Sequence, residues 1–262
     1  MYSIDSEATI DMSREERTGK VVIMGATSGI GRAIAMEFIE KGWRVGAAGR
    51  RLNALMELQA AAPVQVEICS IDVNDEKAPE KLLWLIDVIG GMDVYLNVSG
   101  IGKQNPSLDE KIEESTLETN AVGFTRMVDA AFRYFSEKGG CGQIAAITSI
   151  AGVKGLGIAP SYSATKRFQN CYLQALAQLN SIKGMHITFT DIRPGFVNTD
   201  LLNDSHSYPL MMEPQKVARK AVKAILARKR VAVIDWRYRI IVFLWKLIPN
   251  LIWEKLKIKT KK

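Results

Sequence analysis

From residue 20 onward, short unbroken apolar runs alternate with longer stretches in which apolar residues recur every three to four positions. The runs are VVIM (21–24), WRVGAA, VQVEICSI, VYLNVS, QIAAITS, HITFTDI and VAVI (231–234). A run of that length between turn-forming residues predicts a strand buried on both faces. The intervening stretches predict helices at 29–41, near 51–61, 75–90, about 107–137, 161–183 and 214–228. Strands that alternate with helices cannot pair through tight hairpins, so they predict a parallel sheet. The fold class is therefore α/β: a doubly wound parallel sheet in three layers, α/β/α.

The two ends of the chain depart from this pattern. Residues 1–19 are polar and lack an apolar core segment, so they read as a flexible leader, in which Met12 offers a second translation start. Residues 235–262 form a basic tail containing an apolar stretch at 240–253, interrupted by Lys246 and by Pro249 and Asn250. A spanning helix needs about 20 apolar residues, so this stretch is too short to cross a bilayer. Two readings stay open. One is an amphipathic helix lying in a membrane interface, attracted to anionic lipid. The other is a helix packed over the substrate cleft or a subunit interface. Between them, residues 20–234 make a single domain.

Charge separates the body from the tail. The net charge is +7, yet residues 228–262 hold eleven Lys/Arg and two Asp/Glu, which is +9 and leaves −2 for the rest. The basic balance is thus a property of the tail and gives no reason to expect nucleic-acid binding. Cys69, Cys141 and Cys171 are scattered with no CxxC, and there are only two histidines, so neither a disulfide framework nor a metal site is predicted. Reduced thiols, mostly buried as packing residues, and a cytoplasmic location fit this usage, with the inner face of a membrane as a peripheral site.

The segment between the first strand and first helix is GATSGIG. Its glycines, Gly25, Gly29 and Gly31, permit a tight turn and close approach of backbone to phosphate, with Thr27, Ser28 and Ile30 between them. This spacing is a variant of the dinucleotide fingerprint and predicts a Rossmann-type domain. The second strand ends in AAGRR, where an acid would grip the ribose hydroxyl of NAD. Arg50 and Arg51 suit a 2′-phosphate instead, so NADP(H) is favoured over NAD(H). The alternative is two solvated residues that open a surface helix.

Tyr162 and Lys166 lie four residues apart in SYSATK, and Ser149 lies thirteen residues before the tyrosine. On a helix, positions i and i+4 share a face. An ammonium beside the phenol would lower its pKa, so that Tyr162 could exchange a proton with a carbonyl or alcohol oxygen. Spacing alone leaves an accidental pair open.

GATSGIG, NVSG (97–100), Asn120, Ser149, YSATK and RPGFVNT (193–199) occur in the order and spacing of the short-chain dehydrogenase/reductase family, which residues 20–234 resemble. Met24 stands where that family usually has Thr or Ser, and NVSG stands for the more usual NNAG. The resemblance implies that Tyr162 is the acid/base. Lys166 lowers its pKa and holds the nicotinamide ribose, and Ser149 binds the reacting oxygen. Asn120 holds a water that links Lys166 to solvent. It further implies cofactor contacts from Asp72 and Val73, Asn97 and Gly100, and Pro194, Gly195, Val197 and Thr199, besides Tyr162 and Lys166 themselves. Singly, Asp72 could be a helix cap, Asn120 a helix kink and Ser149 the end of a strand.

The segment DLLNDSHSYPLMME sits where the family places a substrate lid, and Leu201, Leu202, Tyr208, Leu210, Met211 and Met212 make it apolar. His206 within it reads as a surface residue. Together these features predict an NADP(H)-dependent oxidoreductase that interconverts a carbonyl and a secondary alcohol on a lipophilic substrate of steroid, long-chain acyl or sphingoid type. The resemblance implies a homodimer or homotetramer formed through the helices near 107–137 and 161–183. The rival reading is a non-catalytic dinucleotide-binding sensor or membrane-recruited scaffold.

Overall fold

The computed structural model describes residues 18–202 and 208–257. Seven parallel strands form one sheet: β1 (Lys20–Met24), β2 (Arg44–Gly49), β3 (Val66–Ser70), β4 (Val94–Asn97), β5 (Cys141–Ile147), β6 (His186–Arg193) and β7 (Val231–Val233). Their order is β3-β2-β1-β4-β5-β6-β7. The unbroken apolar runs arise because both faces are covered. Within β1, Val21 and Ile23 point into one core layer, and Val22 and Met24 into the other. The first layer is closed by α1 (Gly29–Glu40), α2 (Leu52–Ala61) and the later helix Pro214–Leu226 through Phe38, Leu55, Val222 and their neighbours. The second is closed by α3 (Ala78–Val88) and by the segments near 124–137 and 160–182 through Leu82, Phe124, Phe135 and Leu173.

The helix expected over about 107–137 is three pieces. α4 (Glu110–Leu117) runs into a π-helical turn, Glu118–Gly123, and then into α5 (Phe124–Glu137). The wider turn inserts an extra residue without breaking the chain's helical path, so periodicity does not reveal it. α6 (Pro160–Ile182) follows the sequence reading closely, and Pro160 opens it where a missing N–H costs nothing. α7 (Pro214–Leu226), β7 and then α8 (Trp236–Leu247) and α9 (Asn250–Trp253) complete the described chain.

The tail is built onto the body. Asp235 caps α8 at φ +76°, its carboxylate accepting from Arg237 N–H at 3.1 Å and from Arg237 Nε at 2.9 Å. On α8 the Tyr238 hydroxyl donates to the carbonyls of Pro209 and Leu210 and accepts from Phe196 N–H. Trp253 of α9 donates from its indole to Gly155 O at 2.7 Å and packs edge-on against Trp245.

Among the cysteines, the expectation of mostly buried thiols fails. Cys141 and Cys171 are exposed and Cys69 is half-buried. Cys141 is the first residue of β5 and Cys171 lies on the outer face of α6, positions that apolar composition alone does not distinguish from core. His206 and nearly all of the leader lie outside the described residues.

Candidate active site

The strand order reverses between β1 and β4, which opens a crevice at the carboxyl ends of the strands. The glycine segment lines it. Gly25 has φ +100°, and a Cβ there would meet Ser99 N at 2.7 Å. A Cβ on Gly31 would fall 2.0 Å from Gly25 O. Both glycines are thus required for the loop to fold against the end of β4. Ser28 caps α1 without a side-chain hydrogen bond, so its own hydroxyl does not occupy the first-turn amides. A groove of about 460 Å³ lies there, lined by Thr27, Ser28, Gly29 and Arg32 and, across it, Asn198 and Thr199. The free helix end, the close glycine backbone and the groove fit the phosphates of a dinucleotide.

The other residues expected on the cofactor wall fall around the same crevice. Arg51 caps α2 and reaches back to Thr27 Oγ1 at 3.2 Å, while Arg50 is exposed beside it. Arg51 also stands 3.9 Å from the exposed carboxylate of Asp200. Asp72 accepts from Asn74 N–H at 3.1 Å, a local turn bond that shapes the loop before α3, and Val73 beside it is buried. Asn97 is buried and donates to Ser99 O at 3.2 Å, which fixes the NVSG loop. A Cβ on Gly195 would fall 2.2 Å from the Tyr238 ring, so this glycine admits α8 beneath the segment that carries Pro194, Val197 and Thr199.

Ser149, Tyr162 and Lys166 come together. Ser149 ends the segment after β5, and its Oγ accepts from Ala151 N–H at 3.0 Å. The same hydroxyl lies close enough to the Tyr162 phenol to favour its ionised form. Lys166 Nζ lies one helical turn on, 5.8 Å from the centre of the Tyr162 ring. The phenol does not sit below its ordinary value, as the spacing had suggested. Burial pushes it up, and only the Ser149 hydrogen bond pulls the other way. Lys166 is itself pushed down to about 8 by burial, opposed by the charge of Asp191. Desolvation is the largest cause of both shifts.

Two residues that the sequence reading did not single out complete the cluster. Gln169 is fully buried, accepts from Lys166 Nζ at 3.1 Å and donates to Asn120 O at 2.8 Å. Gln169 thus joins Lys166 to the backbone of Asn120. The Asn120 side chain is used elsewhere, accepting from Ile101 N–H at 2.8 Å and donating to Ile101 O at 2.6 Å. The π turn carries Asn120, whose backbone carbonyl accepts from Gln169 and whose carboxamide also donates to Thr165 Oγ1 at 3.2 Å. Gly102 is the second residue, because a Cβ there would lie 2.3 Å from the Tyr162 ring. Ser161, Ser163, Thr165, Lys166, Gln169 and Asn170 are all buried on α6, a polar cluster that only burial reveals. Behind them Asp191 holds Arg193, Nε to carboxylate at 2.8 Å, and accepts from Thr148 Oγ at 2.5 Å.

A larger hollow of about 640 Å³ lies between residues 152–157, the start of α6 and Asn250, and none of Ser149, Tyr162 or Lys166 lines it. The chemistry follows the titratable cluster and the strand crevice, not this hollow.

A family model described as short chain dehydrogenase matches residues 19–208. The chain belongs to that family. It is 30% identical over 244 residues to an uncharacterized oxidoreductase of Mycobacterium tuberculosis, covering 88% of this chain and 95% of that protein. Among solved structures, serine dehydrogenase from Escherichia coli is 26% identical at TM-score 0.70, over 82% of this chain and 95% of that one. ElxO with NADP bound has TM-score 0.73 at 22% identity, over 85% and 99%, a likeness of fold. This short chain dehydrogenase is therefore an oxidoreductase that uses a nicotinamide dinucleotide and acts on a small molecule.

Proposed function

We propose that the protein is an NADP(H)-dependent carbonyl reductase, or the reverse secondary-alcohol dehydrogenase, acting on a lipophilic substrate. One observation supports the reaction above all: Tyr162 lies beside Ser149 and 5.8 Å, ring centre to Nζ, from Lys166, with Ser149 and Lys166 both buried. When bound, the nicotinamide exchanges a hydride with the substrate carbon. Tyr162 donates its proton to the substrate oxygen, and Ser149 donates a hydrogen bond to the same oxygen as charge develops on it. The Lys166 ammonium then offsets the phenolate left behind. Gln169 holds that ammonium in place and ties it to the π turn through Asn120 O. Thr27, Ser28 and the α1 amides would hold the phosphates, with Asp72, Val73, Asn97, Gly100, Pro194, Gly195, Val197 and Thr199 forming the walls.

NADP is favoured because the end of β2 offers Arg50 and Arg51 and no acid at the same place. A lipophilic substrate is favoured by the segment after Thr199. Leu201, Leu210 and Met211 are 37–40% exposed there, next to Tyr208, whose hydroxyl accepts from Gln104 at 2.9 Å. Met212 and Tyr208 instead pack on the body. Exposed Val122, Phe168 and Ile182 on the segments from α4 to α6 support assembly through those helices.

NADPH and NADH oxidation against steroid, long-chain acyl and sphingoid ketones tests this reading. The expected result is turnover with NADPH on at least one lipophilic ketone, and an Arg50→Glu/Arg51→Glu variant with about 10–100-fold poorer kcat/KM for NADPH, the scale of one or two charged hydrogen bonds. Cofactor binding with no turnover on any ketone would favour the sensor reading. Equal use of NADH by the parent protein would remove the NADP preference.

A further inference from the structure

α8 has two apolar faces, and only one is covered. Tyr238, Ile241, Val242 and Trp245 recur at helical spacing and pack on the body, the first and third of them buried. On the opposite face Trp236, Ile240, Phe243, Leu244 and Leu247 follow the same spacing and are 65%, 50%, 61%, 51% and 64% exposed. At 100° per residue these five fall within a stripe about 100° wide. Arg239 and Lys246 flank it on one side and Arg237 on the other. α9 and the turn after it add exposed Leu251, Ile252 and Leu256, with Lys255 and Lys257 among them.

We infer that this face lies on an anionic lipid surface, with the α8 axis in the membrane plane. Charge chooses between the possible occupants. Residues 236–257 hold five Lys/Arg and one Glu, and three more lysines follow in the sequence. Two copies joined face to face across a twofold axis would bring like cationic edges together, whereas anionic headgroups neutralise them while the stripe enters the acyl boundary. Depth is limited to the interface, since among the described residues no helix is long and apolar enough to cross a membrane. The covered face explains what docking achieves. Tyr238 grips the carbonyls of Pro209 and Leu210 in the segment after Thr199 and fills the space beside Gly195. The entrance for an apolar substrate is therefore fixed to the helix that rests on lipid. The lipid contact stands apart from the proposed activity, and it is measured without turnover.

The experiment is flotation of the full-length protein with vesicles of phosphatidylcholine alone or with 30% phosphatidylglycerol, at low and high salt. The parent protein is expected to float with the anionic vesicles and to lose most of this at high salt. Phe243→Ser/Leu247→Ser should cut partitioning at least about tenfold, because both side chains would leave the acyl boundary. Lys246→Glu/Lys255→Glu should abolish the preference for anionic vesicles. Both pairs are exposed, and circular dichroism melting with NADPH binding confirms that each variant is folded. No flotation of the folded parent protein, or flotation that neither variant changes, would overturn the inference. So would sedimentation showing an oligomer that Phe243→Ser/Leu247→Ser dissociates, which would assign the face to a second copy.

Discussion

Replacing Gln169 by Leu probes the connection between Lys166 and the π turn. Leucine nearly matches glutamine in volume, so packing around a fully buried position changes little. Two hydrogen bonds disappear: the acceptor for Lys166 Nζ at 3.1 Å and the donor to Asn120 O at 2.8 Å. The bond to the ammonium is worth about 1.5–3 kcal/mol and the neutral one about 1 kcal/mol, both with partners that water does not readily reach. A loss of about 2–4 kcal/mol in urea unfolding, followed by tryptophan fluorescence, is expected. The charged form of Lys166 loses an acceptor, so its ionisation moves further below about 8. The alkaline limb of the pH–rate profile should therefore shift to lower pH. A stability change under about 0.5 kcal/mol, the range of a neutral surface substitution, together with an unmoved limb would refute the connection.

Further outcomes follow from the same cluster. In the parent protein, reductive kcat should fall as pH rises through about 8, because the depressed Lys166 loses the ammonium that offsets the phenolate. A profile flat to pH 10 would contradict that role. The same shift has a stability consequence of the opposite sense. Burial disfavours the ammonium, so this penalty is present below about 8 and is relieved as pH rises toward the ordinary lysine value. Gly102→Ala places a methyl against the Tyr162 ring, 2.3 Å from its nearest atom. Such overpacking costs about 1–3 kcal/mol. The substitution should lower kcat while leaving NADPH affinity intact, and parallel losses in both would point to a folding defect instead.

The parallel sheet was legible because strands buried on both faces leave unbroken apolar runs, as VVIM and QIAAIT do. The glycine loop was legible because only glycine fits at Gly25 and Gly31. Three features were hidden for stated physical reasons. The π turn at Glu118–Gly123 changes hydrogen bonding without changing composition. Gln169 reads as a solvated residue until its neighbours show that the first half of α6 buries polar groups. The direction of the Tyr162 shift depends on burial, which spacing does not report. The tail divided between its two readings. Tyr238 and Val242 pack on the body, and the opposite face of α8 stays uncovered.

Tyr162→Phe tests the central claim most directly. Phenylalanine keeps the ring against Gly102 and removes only the hydroxyl that meets Ser149. With NADPH binding unchanged by fluorescence titration, ketone reduction should fall at least about 100-fold, the scale of acid/base catalysis. Turnover close to that of the parent protein, with cofactor bound, would contradict the assignment of proton transfer to Tyr162.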